Sequence, residues 1–112
     1  LRKLRIVQEA RDPETAVVLM DVELGYGSNP DPAGELVPAI NRARRIARDA
    51  GRRLPFVASV VGTDGDFQGL TRQEKALARA EVLVMPSNAQ AAVLAAIIAS
   101  GKPFDARASE RR

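Results

Sequence analysis

Hydrophobic residues recur along this chain in two rhythms, short uninterrupted runs and helix-spaced stripes, and the two alternate. Residues Leu1 to Ala10 read as a helix stopped by the Asp12-Pro13 turn signal. The run AVVLM, Ala16 to Met20, is continuous and apolar, which predicts a strand covered on both faces. A loop follows to Asp31, which is placed to cap a helix with Pro32 at its first position, where a missing N–H costs nothing. That helix is expected to reach about Ala50 and stop at Gly51. A second strand is predicted at Pro55 to Val61. After it, the sequence TRQE has the form of a capping box joining Thr71 to Glu74, opening a helix to about Ala80. A third strand, EVLVM, leads into PSNAQ, and a last helix spans about Ala89 to Ala99.

Strands alternating with helices at these intervals indicate βαβ units, a parallel sheet and right-handed crossovers. The last helix has no charged residue between Ser87 and Ser100, so it wants cover on more than one side. Its apolar length falls short of the roughly 20 residues that span a bilayer, so no membrane association is expected. A chain of 112 residues that opens with LRKLRIVQEA is short for a complete doubly wound unit. It is expected to be a piece of a larger protein that lacks an upstream strand. Residues 1–100 then form the domain and residues 101–112 a basic tail. An unpaired edge at the first strand and the uncharged last helix both predict assembly with other subunits or with the upstream domain, and hence an oligomer.

Composition narrows the chemistry. Aromatics are 4% of the chain and tryptophan is absent, which argues against a stacking platform for nucleic acid. Neither histidine nor cysteine occurs. Zinc sites, Ser-His triads and phosphohistidine chemistry are therefore excluded from this segment, leaving carboxylates, hydroxyls, amides, arginine and backbone N–H groups. The lack of cysteine fits a reducing compartment, and a cytoplasmic location is expected. The net charge of +3 is concentrated in NRARRIARDAGRR and in the tail. Arg42, Arg45, Arg48 and Arg52 lie opposite the stripe Leu36, Ile40, Ala43, Ala47, as a solvated face would. With no nucleic-acid motif beside them, no such partner is expected.

Three loops follow the predicted strands, and a parallel sheet would gather all three at its carboxyl edge. In the first, DVELGYGSNPDPAGE, Gly25, Tyr26 and Gly27 form a sharp turn before the helix at Pro32, whose unpaired N–H groups would suit a phosphate or carboxylate. Asp21 and Asp31 would repel such an anion unless they bind a cation or only cap the backbone. The second, GTDGDFQG, offers Gly62, Thr63, Asp64, Asp66 and Gln68, a set suited to a polar substrate or to a flexible connection. Asp64 and Asp66 could offer oxygens to magnesium, but octahedral sites usually draw on several elements, and no metal is expected. In the third, Ser87, Asn88 and Gln90 can present donors to an oxyanion, or simply cap the last helix.

Taken in order, VVLMDVELGYGSNPDPAGELVPAI, LPFVASVVGTDGDFQGLTRQE and VLVMPSNAQAA resemble the carboxyl-terminal ligase-type domain of the FdrA family, proteins similar to the succinyl-CoA synthetase α subunit. The resemblance implies an α/β, three-layer flavodoxin-like parallel sheet, here a partial domain. No cofactor is implied on this segment, although CoA is possible on a missing upstream domain. The synthetase keeps an active-site histidine in the loop that corresponds to GTDGDFQG, where this chain has none, so its phosphohistidine step does not carry over. The FdrA family is associated instead with oxamate carbamoyltransferase, which interconverts oxalurate with oxamate and carbamoyl phosphate. The resemblance therefore implies a carbamoyltransferase subunit of purine catabolism acting on an anionic small molecule. The alternative is a CoA-ligase-like scaffold that docks partners.

Overall fold

In the computed structural model, which describes residues 2–101 except Tyr26 and Ser28, three strands form one parallel sheet in the order β1-β2-β3. They are β1 (Val18–Glu23), β2 (Phe56–Val61) and β3 (Leu83–Met85). The helices are α1 (Arg2–Arg11), α2 (Pro32–Asp49), α3 (Leu70–Arg79) and α4 (Asn88–Ala99). Register places Val18 opposite Phe56 and Glu23 opposite Val61, while Val57 to Ser59 face Leu83 to Met85. The main core joins Ile6 and Ala10 of α1, Leu36 and Ile40 of α2 and Leu77 of α3 to one face of the sheet. On the other face, Ala91 and Leu94 of α4 pack on Val57, with Val17, Met85 and Ile98 around them. Two right-handed crossovers that build a sheet in one direction put α2 and α3 on the same side. The result is the three-layer α/β arrangement with a parallel sheet that the alternating pattern predicts.

The first strand departs from expectation in place and environment. It begins at Val18 rather than Ala16 and extends through Asp21 to Glu23. Only alternate residues are buried: Val18, Met20 and Val22 enter the main core, whereas Leu19 on the α4 face is 49% exposed. Two strongly hydrophilic side chains, Asp21 and Glu23, share that face, and α4, which packs mainly on β2, reaches β1 without burying Leu19. β3 is also shorter than EVLVM suggests, because Glu81 takes a left-handed backbone (φ 62) and Val82 N–H donates to Leu77 O at 3.0 Å, which closes the preceding helix.

Helix ends follow the local code more closely. α2 stops at Asp49, with Ala50 capping and Gly51 beyond it. The basic residues at this end divide into two groups. Arg42, Arg45 and Arg48 are exposed. Arg52 leaves the solvated face and donates to Ala10 O and Asp12 O, closing α1. Arg44 does the same for α3, donating to Ala80 O and to Glu81 O, and its guanidinium lies 5.3 Å from the centre of the Phe56 ring. Among the described residues, no helix is long and apolar enough to cross a membrane.

The one-sided burial of β1 makes a contrast that urea unfolding can read. Met20→Ala should cost about 2–5 kcal/mol, as buried truncations do. Leu19→Ala, one residue away, should cost less than half as much; equal losses would mean that both faces of β1 are covered.

Candidate functional site

The three loops all leave the carboxyl edge of the sheet, the first two bonded to each other, but much of their polarity is turned inward. Asp31 caps α2 as expected, accepting from Gly34 N–H at 3.2 Å through Oδ1. Pro32 has no N–H to offer, Glu35 N–H donates to Asp31 O at 3.0 Å, and Ala33 N–H donates to Gln73 Oε1 at 2.8 Å. The whole first turn of α2 is therefore satisfied within the protein. This corrects the expectation that it would present unpaired N–H groups to an anion. Gln73, from α3, is 1% exposed, and its Nε2 donates to Asp31 Oδ1 at 3.1 Å. That amide, followed by the Gly34 N–H, holds the Asp31 carboxyl below its ordinary pKa.

A second buried glutamine ties the other loops together. Gln68 is fully buried and accepts from Gly25 N–H at 3.3 Å, while its Nε2 donates to Gly25 O at 3.2 Å and Asn29 O at 3.1 Å. Its amide is thus spent on the backbone of the first loop, beneath the surface a substrate would meet. Gly27 sits at φ 84, a left-handed turn that glycine enters without cost. Tyr26 lies outside the described residues. Asp66 folds its own loop: Oδ2 accepts from Thr63 N–H at 2.7 Å and from Thr63 Oγ1 at 3.3 Å. A Cβ on Gly62 would come within 2.7 Å of Leu24 Cβ and 2.9 Å of Asp66 Oδ2, so only glycine lets the two loops approach this closely.

Asp64 is the cap that the sequence pattern assigned elsewhere. α3 begins at Leu70 after Gly69, which leaves Thr71 one residue inside the helix. Thr71 donates both its N–H, at 2.8 Å, and its hydroxyl, at 3.0 Å, to the Asp64 carboxylate. The expected Thr71–Glu74 capping box is therefore not formed, because Thr71 is a donor there rather than the capping acceptor. Its backbone N–H first, and its hydroxyl second, hold Asp64 below the ordinary carboxylate pKa. Leu70 N–H donates to Thr63 O at 3.2 Å, so in the first turn of α3 only the Arg72 N–H is without a partner among the described residues.

The start of α4 is different. Ser87 caps it, accepting from Gln90 N–H at 3.1 Å and donating its hydroxyl to Gln90 Oε1 at 3.0 Å. Buried Ser59 on β2 donates to Asn88 Oδ1, which anchors that side chain. The N–H groups of Asn88 and Ala89, and Asn88 Nδ2, have no partner among the described residues. Of the three helix starts, this one alone combines open donors with a side chain fixed from below. Sequence reasoning found Ser87, Asn88 and Gln90 but missed Ser59 and Gln73. Both left a signal: Gln73 interrupts the stripe Leu70, Gln73, Leu77, and Ser59 is the sole hydroxyl in the run FVASVV.

Residues 1–98 match the family model described as CoA-ligase. The chain is 43% identical over 91 residues to a protein of Escherichia coli (strain K12) named Uncharacterized protein YahF, a match covering 81% of this chain and 18% of that protein. The chain thus spans less than a fifth of the length of that relative.

Three outcomes follow from how these helix starts are capped. Gln73→Leu should destabilise the fold by about 1–3 kcal/mol, because the Ala33 N–H loses its acceptor in a buried setting. Gln90→Ala should stay within roughly 0.5 kcal/mol, as exposed substitutions do. Because Asp31 and Asp64 titrate below their unfolded-state values, the stability they add is present above about pH 4 and is lost as pH falls through the folded-state values. The double variant Asp31→Asn, Asp64→Asn should flatten that acid limb in urea titrations at successive pH values; a limb parallel to wild type would show that neither carboxylate is coupled to folding.

Proposed function

Because this chain belongs to the CoA-ligase family, we propose that it acts as the ligase-type domain of a larger enzyme and holds an anionic substrate group at the start of α4. One observation carries this reading: Asp31 and Gln73 close the α2 start and the α3 start keeps a single free N–H, that of Arg72, whereas Asn88 and Ala89 both keep theirs open beside the Asn88 amide that Ser59 holds. The positive end of a twelve-residue helix adds to the attraction for an anion. Ser59 fixes the Asn88 amide, so its remaining donors are positioned before the ligand arrives.

A direct transfer suits these residues better than a covalent enzyme intermediate. The chain contains no histidine to phosphorylate, and Asp64 and Asp66 are engaged with backbone N–H groups and hydroxyls. The finer reading is transfer of a carbamoyl group between carbamoyl phosphate and oxamate. The oxamate amide nitrogen attacks the carbamoyl carbon, a C–N bond forms, the C–O bond to phosphate breaks, and phosphate leaves with that electron pair while the nitrogen loses a proton. The open donors at α4 would hold the developing oxyanion or the leaving phosphate. This role rests on the likeness of the three loops to the FdrA family and on the absence of histidine from this chain. A second reading, docking of a partner by this domain, draws support from Val93, which is 53% exposed on the uncharged α4.

Calorimetric titration of the chain with carbamoyl phosphate and with oxamate separates the two. Asn88→Ala should weaken anion binding about 3–10-fold, the loss of one hydrogen bond. An affinity unchanged in Asn88→Ala, or no binding of either anion, would remove the α4 start from the site and favour the docking role.

A further inference from the structure

The arginines at the opposite, amino-terminal edge of the sheet are not explained by the site at α4. Two grooves adjoin there. One, of about 400 Å³, lies between the end of α2 and the strand starts, with Arg48, Arg53, Pro55 and Leu83 in its walls. The other, of about 550 Å³, runs between α2 and α3 and is lined by Asn41, Arg45, Arg48 and Arg79. Arg44, Arg48 and Glu81 belong to both. Together the grooves gather six arginines against the single carboxylate of Glu81.

Helix capping accounts for only two of the six. Arg44 and Arg52 are committed to the carbonyls that end α3 and α1. Arg45, Arg48, Arg53 and Arg79 are exposed, and none forms an ion pair among the described residues, whose two ion pairs, Arg2–Asp21 and Lys3–Glu35, lie toward the carboxyl edge. Interaction with the helix dipole fades beyond the last turn, yet Arg44 and Arg45 lie before it. Arg44 and Arg48 stand four apart, a spacing at which like charges repel. An arrangement that costs stability without an anion, and that presents planar guanidinium forks in a concave surface, matches phosphate oxygens.

We propose that these grooves bind a polyphosphate, free or carried by a nucleotide. Arg45, Arg48 and Arg79 hold the phosphates over α2 and α3, and the Pro55 and Leu83 surface receives the body of a nucleotide where one is attached. Arg44, fixed by the α3 carbonyls, forms the shared wall and keeps the two grooves in register.

The test is calorimetric titration of the chain with tripolyphosphate and with ATP, at low and at physiological salt. The proposal expects binding that weakens as salt rises, and a loss of about tenfold or more in the double variant Arg45→Ala, Arg48→Ala. Both residues are exposed and make no hydrogen bond that holds the fold, so the variant should unfold like wild type. Arg42→Ala, on the same helix but outside both grooves, should bind as wild type does. So should Asn88→Ala, which separates this site from the one at α4. Tighter binding of ATP than of tripolyphosphate would identify a nucleotide as the source, and equal binding a free polyphosphate. The proposal is overturned if neither ligand binds at millimolar concentration, if Arg42→Ala weakens binding as much as the double variant does, or if polyglutamate of matched charge binds as tightly, which would mark a docking surface for acidic protein.

Discussion

Two buried primary amides determine what the carboxyl edge of this sheet can do. A glutamine side chain taken out of water must recover its hydrogen bonds inside, or its burial costs several kcal/mol. Gln68 recovers them from Gly25 and Asn29, and Gln73 from Ala33 and Asp31. These bonds cross about forty residues of sequence, so they join the loop after β1 to the loop after β2 and the start of α2 to the body of α3. They also consume the donors that a bare helix start would offer a ligand. The network that orders two loops thereby directs ligand chemistry toward the third, where Ser59 supports Asn88 from beneath.

The parts of this arrangement that sequence reveals are those set by neighbours. Asp31 before Pro32, and Ser87 three residues before Gln90, are caps that a reader of local spacing finds, and the alternation of elements announces a parallel sheet. What escapes is decided by partners far along the chain. Thr71 and Glu74 have the right spacing for a capping box, but Asp64 reaches the same N–H first, because Gly69 starts the helix two residues earlier than the motif assumes. The run AVVLM looks like a doubly covered strand because composition is silent on how far α4 extends over it. Gln68 reads as a substrate contact for the same reason: an exposed and a buried glutamine are the same letter. Gly25, Thr63, Asp64, Asp66 and Gln68 bond chiefly to one another and to nearby residues of the same two loops and the α3 start.

The two edges of the sheet differ in how their charged groups are used. At its carboxyl edge most of the acids are occupied: Asp31 and Asp64 cap helices, Asp66 turns its loop, and Glu35 meets Lys3 at 2.6 Å. At the amino edge most of the arginines remain uncommitted. Membership of the CoA-ligase family fixes the architecture on which both edges are built. The chemistry depends on which groups remain unspent at each.

Native-state hydrogen exchange measures this division most directly, because it reads single amides under folding conditions. If the glutamine network is the constraint described, the N–H groups of Gly25 and Ala33 exchange slowly, Ala33 with a free energy close to that of global unfolding. Those of Asn88 and Ala89 then exchange orders of magnitude faster and slow when an anion is added. Rapid exchange at Ala33, or protection at Asn88 and Ala89 equal to it without any ligand, would contradict the account.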